Sequence, residues 1–280
     1  MTITLAPTLS AHGASIPALG FGTLELGELG AGLVAEAIRV GYRHIDTARK
    51  YGSEEGVGEG IRASGLPREQ LFVTTKVTED NAREADFRRS VETSLKALKL
   101  DYVDLLLIHW PSRTVPLAET IGALVAAKRE GYARHIGVSN FTLALLDEAV
   151  RLSPEPLVVN QLEVHAYLNQ DKLLAACKRY GMIVTAYSPV ARGELLTDPL
   201  IAEIAKAKGK TPAQVALRYV IQHPNVAAVP RAFTAEHVAE NFDIFDFALD
   251  ESEMRRISEL RHRNLRIVDP EVRRPVWDQP

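Results

Sequence analysis

The stretch "VDLLLIHW", residues 103–110, decides the fold. Residues 105–108 are apolar without interruption, and the run then stops on an imidazole, His109. A strand with one wet face alternates polar and apolar side chains, whereas an uninterrupted apolar strand belongs in a parallel sheet covered on both faces. A lone histidine beside such a run is ordinarily a core residue bonded to backbone. Yet the pattern recurs. "RHIDT", "FVTTK", "HIGVSN", "LVVNQ", "MIVTAYS" and "VAAVPR" also end on polar or ionisable groups, and the repetition asks for one architectural cause.

Working outward from residue 103 gives eight strand candidates: 19–23, 44–47, 72–76, 103–109, 135–139, 157–161, 183–188 and 227–231. Helical patterns follow them. Phe87, Val91, Leu95 and Leu98 step by four, four and three and share a helix face. Thr142 is a candidate N-cap, Gly131 and Gly181 suit left-handed C-caps, and Thr211, Pro212 and Gln214 form a capping box with proline at the first helical position. Eight βα units in this length specify a (β/α)8 TIM barrel, preceded by a short N-terminal extension, with its active site at the C-terminal ends of the strands. His109 is then polar because it emerges at that rim. The rival, a doubly wound sheet, needs a G-x-G-x-x-G turn; "GFGTLE" has Glu25 at the third glycine, and "GVGEG" follows no strand.

Composition narrows the partners. The 280 residues are 46% hydrophobic and 25% charged, with no low-complexity linker, so one domain spanning 1–280 is expected. A net charge of −3 without a dense Lys/Arg tract argues against nucleic acid or an anionic membrane as partner. A small-molecule ligand and a monomer are expected. Cys177 is the one cysteine, no 18 apolar residues run together, and the N-terminus lacks a leader pattern, so a cytoplasmic setting is expected.

The rim residues form a chemical set with no call for a metal. Asp46, Lys76 and His109 end strands two, three and four, and Tyr51 follows in the second loop. An ammonium close to a phenol lowers its pKa, and a buried lysine needs a carboxylate beside it. Lys76 and Asp46 answer both needs. A tyrosine that donates a proton to an oxygen, with an imidazole to orient that oxygen, is apparatus for reducing a carbonyl. A hydride donor is then required.

"GYRHIDTARKYGSEEGVG", "VTTKV", "DYVDLLLIHWP", "IGVSNF", "VVNQLEVHAYL", "TAYSPVARG" and "VPRAFTAEHVAEN" together resemble the aldo-keto reductase family, and within it the bacterial 2,5-diketo-gluconate reductase-like branch. The resemblance covers nearly the whole chain. It implies NADPH-dependent reduction of aldehydes and ketones, with Tyr51 as general acid, Lys76 and Asp46 as its tuners, and His109 orienting the carbonyl. It further implies a coenzyme site built from Gly22, Thr23 and Asp46; Ser139, Asn140 and Gln161 around the carboxamide; Tyr187 stacked on the nicotinamide; Ser188, Pro189, Val190, Arg192 and Gly193 in the seventh loop; and Pro230, Arg231, Ala232, Phe233, Thr234, His237, Glu240 and Asn241 in and after the eighth.

Several positions depart from the family pattern. Thr78 and Leu24 replace common aromatics, which implies a wider or more polar pocket. Arg231 and Ala232 stand where a Lys-Ser pair is common, and His237 replaces an arginine. A histidine is mostly neutral at pH 7, so NADPH is expected to be preferred and NADH to be usable. His165 is read as structural or pocket-lining, with no chemistry assigned to it. The tail "RHRNLRIVDPEVRRPVWDQP" carries five arginines from Arg261 to Arg274. A solvated terminus is its ordinary reading, but in similar reductases this segment folds over the barrel mouth. Trp110 and Trp277 are then expected to line the pocket, and the arginines to favour sugar-derived or diketo-gluconate-like keto acids beside small dicarbonyls. Two alternatives stay open at this point: a Schiff-base lyase using Lys76, and a nucleotide-binding regulatory module with little turnover.

Overall fold

The computed structural model describes residues 5–279, so residues 1–4 and 280 of the expected single domain lie outside it. The chain opens with an antiparallel hairpin, β1 (Thr8–Ala11) and β2 (Ala14–Pro17), and then alternates strand and helix. In order come β3 (Gly20–Gly22), α1 (Gly30–Val40), β4 (His44–Asp46), α2 (Glu54–Ala63), β5 (Phe72–Val77), α3 (Glu84–Leu98), β6 (Val103–Ile108), α4 (Leu117–Arg129), β7 (Ala133–Ser139), α5 (Leu143–Leu152), β8 (Leu157–Glu163), α6 (Asp171–Arg179) and β9 (Ile183–Tyr187). Two helices, α7 (Pro199–Lys208) and α8 (Pro212–Ile221), precede β10 (Val226–Ala228), and α9 (Ala235–Phe242) and α10 (Glu251–Glu259) follow it.

Strands β3 to β10 form one parallel sheet in sequence order. A parallel bridge between Leu19 and Ala228, with bonds from Ala228 N to Ala18 O (2.9 Å) and from Gly22 N to Pro230 O (2.8 Å), joins its two edges into a barrel. Gly22 is required at this seam, because a Cβ there would stand 2.8 Å from Val229 O.

Every residue of β6 is buried, and the two-residue period of a strand sorts them. Leu105 and Leu107 join Phe72, Val159, Ile183 and Ala227 inside the barrel, whereas Leu106 and Ile108 pack beneath the helices. Truncating one such leucine to alanine costs about 2–5 kcal/mol. The hairpin, which the sequence reading took only as an extension, adds Ala11, Ala14 and Ile16 to the interior cluster and closes one end. Following the same parity upward from Leu105 and Leu107, His109 belongs to the interior face, as do Asp46 above His44, Lys76 above Thr74, and Gln161 above Val159. These are the positions from which side chains enter the opposite mouth.

Helix ends largely match expectation. Thr211 and Gln214 exchange both capping-box bonds (3.3 and 3.0 Å), and Gly131 and Gly181 hold φ of 86° and 68°. Thr142 occupies its cap position but makes no side-chain cap; Asp278 of the tail accepts from Leu143 N at 3.0 Å instead. The last two strands are shorter than read from sequence, so Ser188 and residues 229–231 belong to loops.

The C-terminal segment returns across the barrel mouth. Leu265 N donates to Tyr167 O (2.8 Å), and Ile267 N and Val268 N donate to the two carboxylate oxygens of Glu163 at the end of β8 (2.6 and 2.9 Å). Arg113 adds a bond to Glu271 O at 3.1 Å. Glu163 is fully buried and also bonds His165 Nε2 at 2.9 Å, which gives His165 its structural place.

Candidate active site

Three strand ends and one short turn bring the expected tetrad together. A 3-10 turn at Arg49–Tyr51 follows β4 and brings the phenol to Lys76 and His109. Lys76 Nζ, fully buried, donates to Asp46 Oδ1 (2.6 Å), Thr47 O (2.8 Å) and Tyr51 Oη (3.4 Å). Asp46 Oδ2 accepts from Gln161 Nε2 at 2.8 Å. The rings of Tyr51 and His109 meet edge to face with centroids 5.7 Å apart.

The electrostatics of this group correct one expectation. Burial raises the Tyr51 pKa, the Lys76 ammonium pulls it down, and Asp46 raises it again; the balance lies above the ordinary phenol value rather than below it. The phenol is therefore held protonated, and the charge of Lys76 is available to stabilise phenolate only as the proton leaves. Burial alone would strip the Lys76 proton, but Asp46 and Tyr51 outweigh it and the ammonium's pKa is raised. Such a lysine is a poor Schiff-base nucleophile, since that reaction needs the free amine. His109 is pushed well below the usual histidine range by burial and by Lys76, Arg273 and Lys50, so its ring is neutral at pH 7. Its Nδ1 is buried without a hydrogen-bond partner.

A second network supports the first. Asn140, left-handed at φ 63°, donates through Nδ2 to His109 O (2.9 Å) and Ser139 Oγ (3.0 Å) and accepts from Tyr187 Oη (2.7 Å). Ser139 Oγ in turn donates to Gln161 O at 3.0 Å. Residues expected at the carboxamide thus form one bonded wall with the ring of Tyr187. Thr23, behind Gly22, donates to Asp46 O.

Asp46, Tyr51 and His109 open on a cavity of about 630 Å³, which fits the volume range of small-ligand sites. Gly22, Thr23, Trp110, Ser139, Asn140, Gln161, Tyr187, Ser188, Pro189, Val190, Arg192, Gly193, Pro230, Arg231 and Phe233 line it as expected. In the loop after β9, Ser188, Ala191 and Arg192 hold left-handed φ near 50°. The amides of Ala191 and Gly193 in this loop are taken by Ser188 O (2.8 Å) and Val190 O (2.9 Å), so the group the loop offers an anion is the side chain of Arg192, which lines the cavity. Arg192, beside the wall of Ser139, Asn140, Gln161 and Tyr187, fits the charge of a phosphorylated nicotinamide coenzyme.

Other expected residues stand elsewhere. Ala232 is buried beside the cavity, and Thr234 caps α9 by accepting from His237 N (3.2 Å). His237 is exposed on the first turn of α9, outside the cavity lining. Glu240 accepts from Thr211 Oγ1 at 2.6 Å, so its carboxylate ties α9 to α8, and Asn241 is buried on the same helix. Trp277 stands behind Trp110 (centroids 6.1 Å) and does not reach the cavity, its ring covered by Arg266 at 3.7 Å. Thr78, the replaced aromatic, is also absent from the lining and accepts from Asn81 Nδ2. Arg231 is engaged by Glu25 and by Leu24 O (3.1 Å) rather than being open to a phosphate.

The sequence reading gave no role to Glu25, Lys50 or Val268 and named Arg273 only as one of five tail arginines favouring keto acids; all four line the cavity. Lys50 adjoins Tyr51 in a three-residue turn and could have been found from that turn's geometry. Arg273 could not, because its approach depends on where Glu163 fixes the tail.

Comparison with known proteins places these features in context. Residues 18–262 match the model of the Aldo/keto reductase family. A solved structure provisionally named 2,5-diketo-D-gluconic acid reductase B is 47% identical, superposes with a TM-score of 0.94, and each chain covers 98% of the other. Methylglyoxal reductase DkgB of Escherichia coli O157:H7 is 38% identical over 94% of this chain and 100% of its own. An aldo-keto reductase of Bombyx mori, solved in complex with NADP, is 34% identical with a TM-score of 0.88, over 95% of this chain and 96% of that one.

Proposed function

Because the chain belongs to the aldo/keto reductase family and is an oxidoreductase of carbonyl compounds, we propose that it reduces small aldehydes and ketones with NADPH. The observation that carries this reading is the contact of one buried ammonium with both Asp46 and Tyr51, beside the neutral ring of His109, on the floor of a ligand-sized cavity.

A reduced nicotinamide, when bound, would supply the hydride that the carbonyl carbon accepts. Tyr51 gives its phenolic proton to the carbonyl oxygen, so C=O becomes CH–OH and the tyrosine is left as phenolate, to be reprotonated from solvent. Lys76 stabilises that phenolate, and Asp46 keeps Lys76 charged. Neutral His109 donates one N–H to the same oxygen and fixes its direction, which serves reduction of C=O. Asn140, Ser139 and Gln161 would hold the carboxamide end, Tyr187 would cover the nicotinamide ring, and Arg192 in the loop after β9 would meet the phosphates, joined by Arg231 once it leaves Glu25.

The names of the relatives point to small dicarbonyls and sugar-derived keto acids as substrates. The two cationic loops favour NADPH, while the hold of Glu25 on Arg231 and the displacement of His237 leave NADH usable. The whole chain, tail included, is proposed to act as one domain, as a monomer, and in the cytoplasm. No helix among the described residues is long and apolar enough to cross a membrane.

A test is turnover of methylglyoxal and a panel of aldehydes and keto acids with each coenzyme, followed by loss of reduced-nicotinamide absorbance. Reduction of several members with NADPH is expected; binding of coenzyme with no reduction of any carbonyl contradicts the reading.

A further inference from the structure

The tail carries five arginines, and four of them are committed to groups outside the cavity. Arg261 pairs with Asp171 (2.6 Å) and Arg263 with Asp198 (3.3 Å); Arg266 covers Trp277, and Arg274 pairs with Asp269. Arg273 alone among them lines the cavity that holds Tyr51 and His109. Its guanidinium lies 5.5 Å from the Trp110 ring centroid, so an indole wall fixes one side of it. Its field reaches the reacting groups, since it is among the charges that depress His109.

Arg273 is poorly satisfied where it stands. Its Nε is buried without a hydrogen-bond partner. Its Nη1 is 3.6 Å from Glu79 Oε1, an ion pair too long to be a hydrogen bond. The same Glu79 oxygen stands 3.6 Å from Lys50 Nζ, and Lys50 lines the cavity beside Tyr51. Glu79 Oε2 is itself buried without a partner. One carboxylate is thus shared loosely by two cations, leaving a net positive charge at the edge of the cavity. An unpaired buried donor is costly, and a guanidinium is matched best by a carboxylate that takes two parallel bonds.

We propose that Arg273 and Lys50 form an anion subsite that receives a carboxylate carried by the carbonyl substrate, placing its C=O over Tyr51 and His109. The preferred substrates are then oxo acids rather than neutral aldehydes. The proposal rests on the carbonyl-reductase reading but makes a separate demand, a preference between an acid and its own ester. Arg273 is the main contact because its side chain is the more enclosed, 22% exposed against 40% for Lys50.

The experiment compares glyoxylate, succinic semialdehyde and terephthalaldehydic acid, which differ in reach, each against its methyl ester. The ratio of kcat/KM for acid over ester is measured in the natural protein and in Arg273→Leu, Arg273→Lys and Lys50→Met. At least one acid is expected to be favoured. Its ratio is expected to fall about 10- to 100-fold in Arg273→Leu, the size of one charge-assisted bond pair, to recover in part in Arg273→Lys, and to fall by less in Lys50→Met. Competitive inhibition by benzoate, set against benzamide, gives a readout independent of turnover and should weaken in Arg273→Leu for benzoate alone. Acid-to-ester ratios that do not change in Arg273→Leu for any of the three pairs overturn the subsite while leaving carbonyl reduction in place. Failure of every ester and acid to react instead tells against the reductase reading.

Discussion

Replacing Lys76 by methionine tests the electrostatic logic of the site, because two consequences follow from one side chain. Lys76 is fully buried and holds Asp46 at 2.6 Å. Removing the ammonium leaves Asp46 enclosed with only the amide of Gln161, at 2.8 Å, on its second oxygen. Breaking a buried pair by deleting one partner typically costs about 3–5 kcal/mol, and a chain of roughly this size loses about 2–4 °C of Tm per kcal/mol. A fall in Tm of about 6–20 °C is therefore expected. Catalysis should fail independently, since burial already raises the Tyr51 pKa and only Lys76 and its hydrogen bond draw it down strongly. A loss in kcat of about 10²–10⁴ is expected, the usual worth of general-acid catalysis. Asp46→Asn with Lys76→Met separates the two effects: neutralising the stranded carboxylate should restore much of the Tm and none of the rate. The assays are thermal denaturation and single-turnover reduction of an aldehyde. Recovery of rate in the double variant, or a single variant as stable as the natural protein, refutes the reasoning.

Glu25→Gln should free Arg231 from its ion pair and lower the Kd of NADPH about 3- to 10-fold with a smaller change for NADH, by fluorescence titration of both coenzymes; equal shifts would show that Arg231 does not meet the 2′-phosphate. Glu163→Ala removes the acceptor of Ile267 N and Val268 N, so the tail should become accessible to protease within residues 265–279 and KM for carbonyls should rise several-fold with little change in NADPH affinity, whereas an unaltered digestion pattern would mean that the tail is held elsewhere. His44 is buried with its pKa lowered to about 4, chiefly by burial, so the folded state resists a proton that the unfolded chain accepts near pH 6.5. Stability from this group is complete above about pH 6.5 and is lost as pH falls through about 4, on the order of 3 kcal/mol, which urea denaturation across that window should show, and which His44→Gln should reduce.

How much of this was legible in the sequence depends on whether the information is local. The uninterrupted apolar run before His109, and the recurrence of that pattern, located seven of the eight barrel strands to within two residues at each end. The eighth ran three residues long, because "VPR" continues the apolar run but is pulled into the closing seam, where Pro230 O accepts from Gly22 N. Their positions at the ends of strands two, three and four placed Asp46, Lys76 and His109 at one mouth from sequence alone. The level of the Tyr51 pKa was misjudged because charge is visible in a sequence and enclosure is not. The same limit explains Trp277, Glu240 and Thr142. Each has the right residue type near the right place, but long-range contacts assigned Trp277 to the back of Trp110, Glu240 to Thr211, and the cap at Leu143 to Asp278, 135 residues away. Arg273 was indistinguishable from four neighbouring arginines until the tail's path was known.

The central claim is that Tyr51 delivers the proton, and Tyr51→Phe tests it most directly, since the phenyl ring keeps the packing against His109 and only the hydroxyl is lost. Aldehyde reduction and coenzyme affinity are measured on the same preparation. The account expects kcat to fall about 10²–10⁴-fold while the Kd for NADPH stays within about twofold. A variant that retains most of its kcat contradicts it, and the proton would then have to come from another group at the mouth of the barrel.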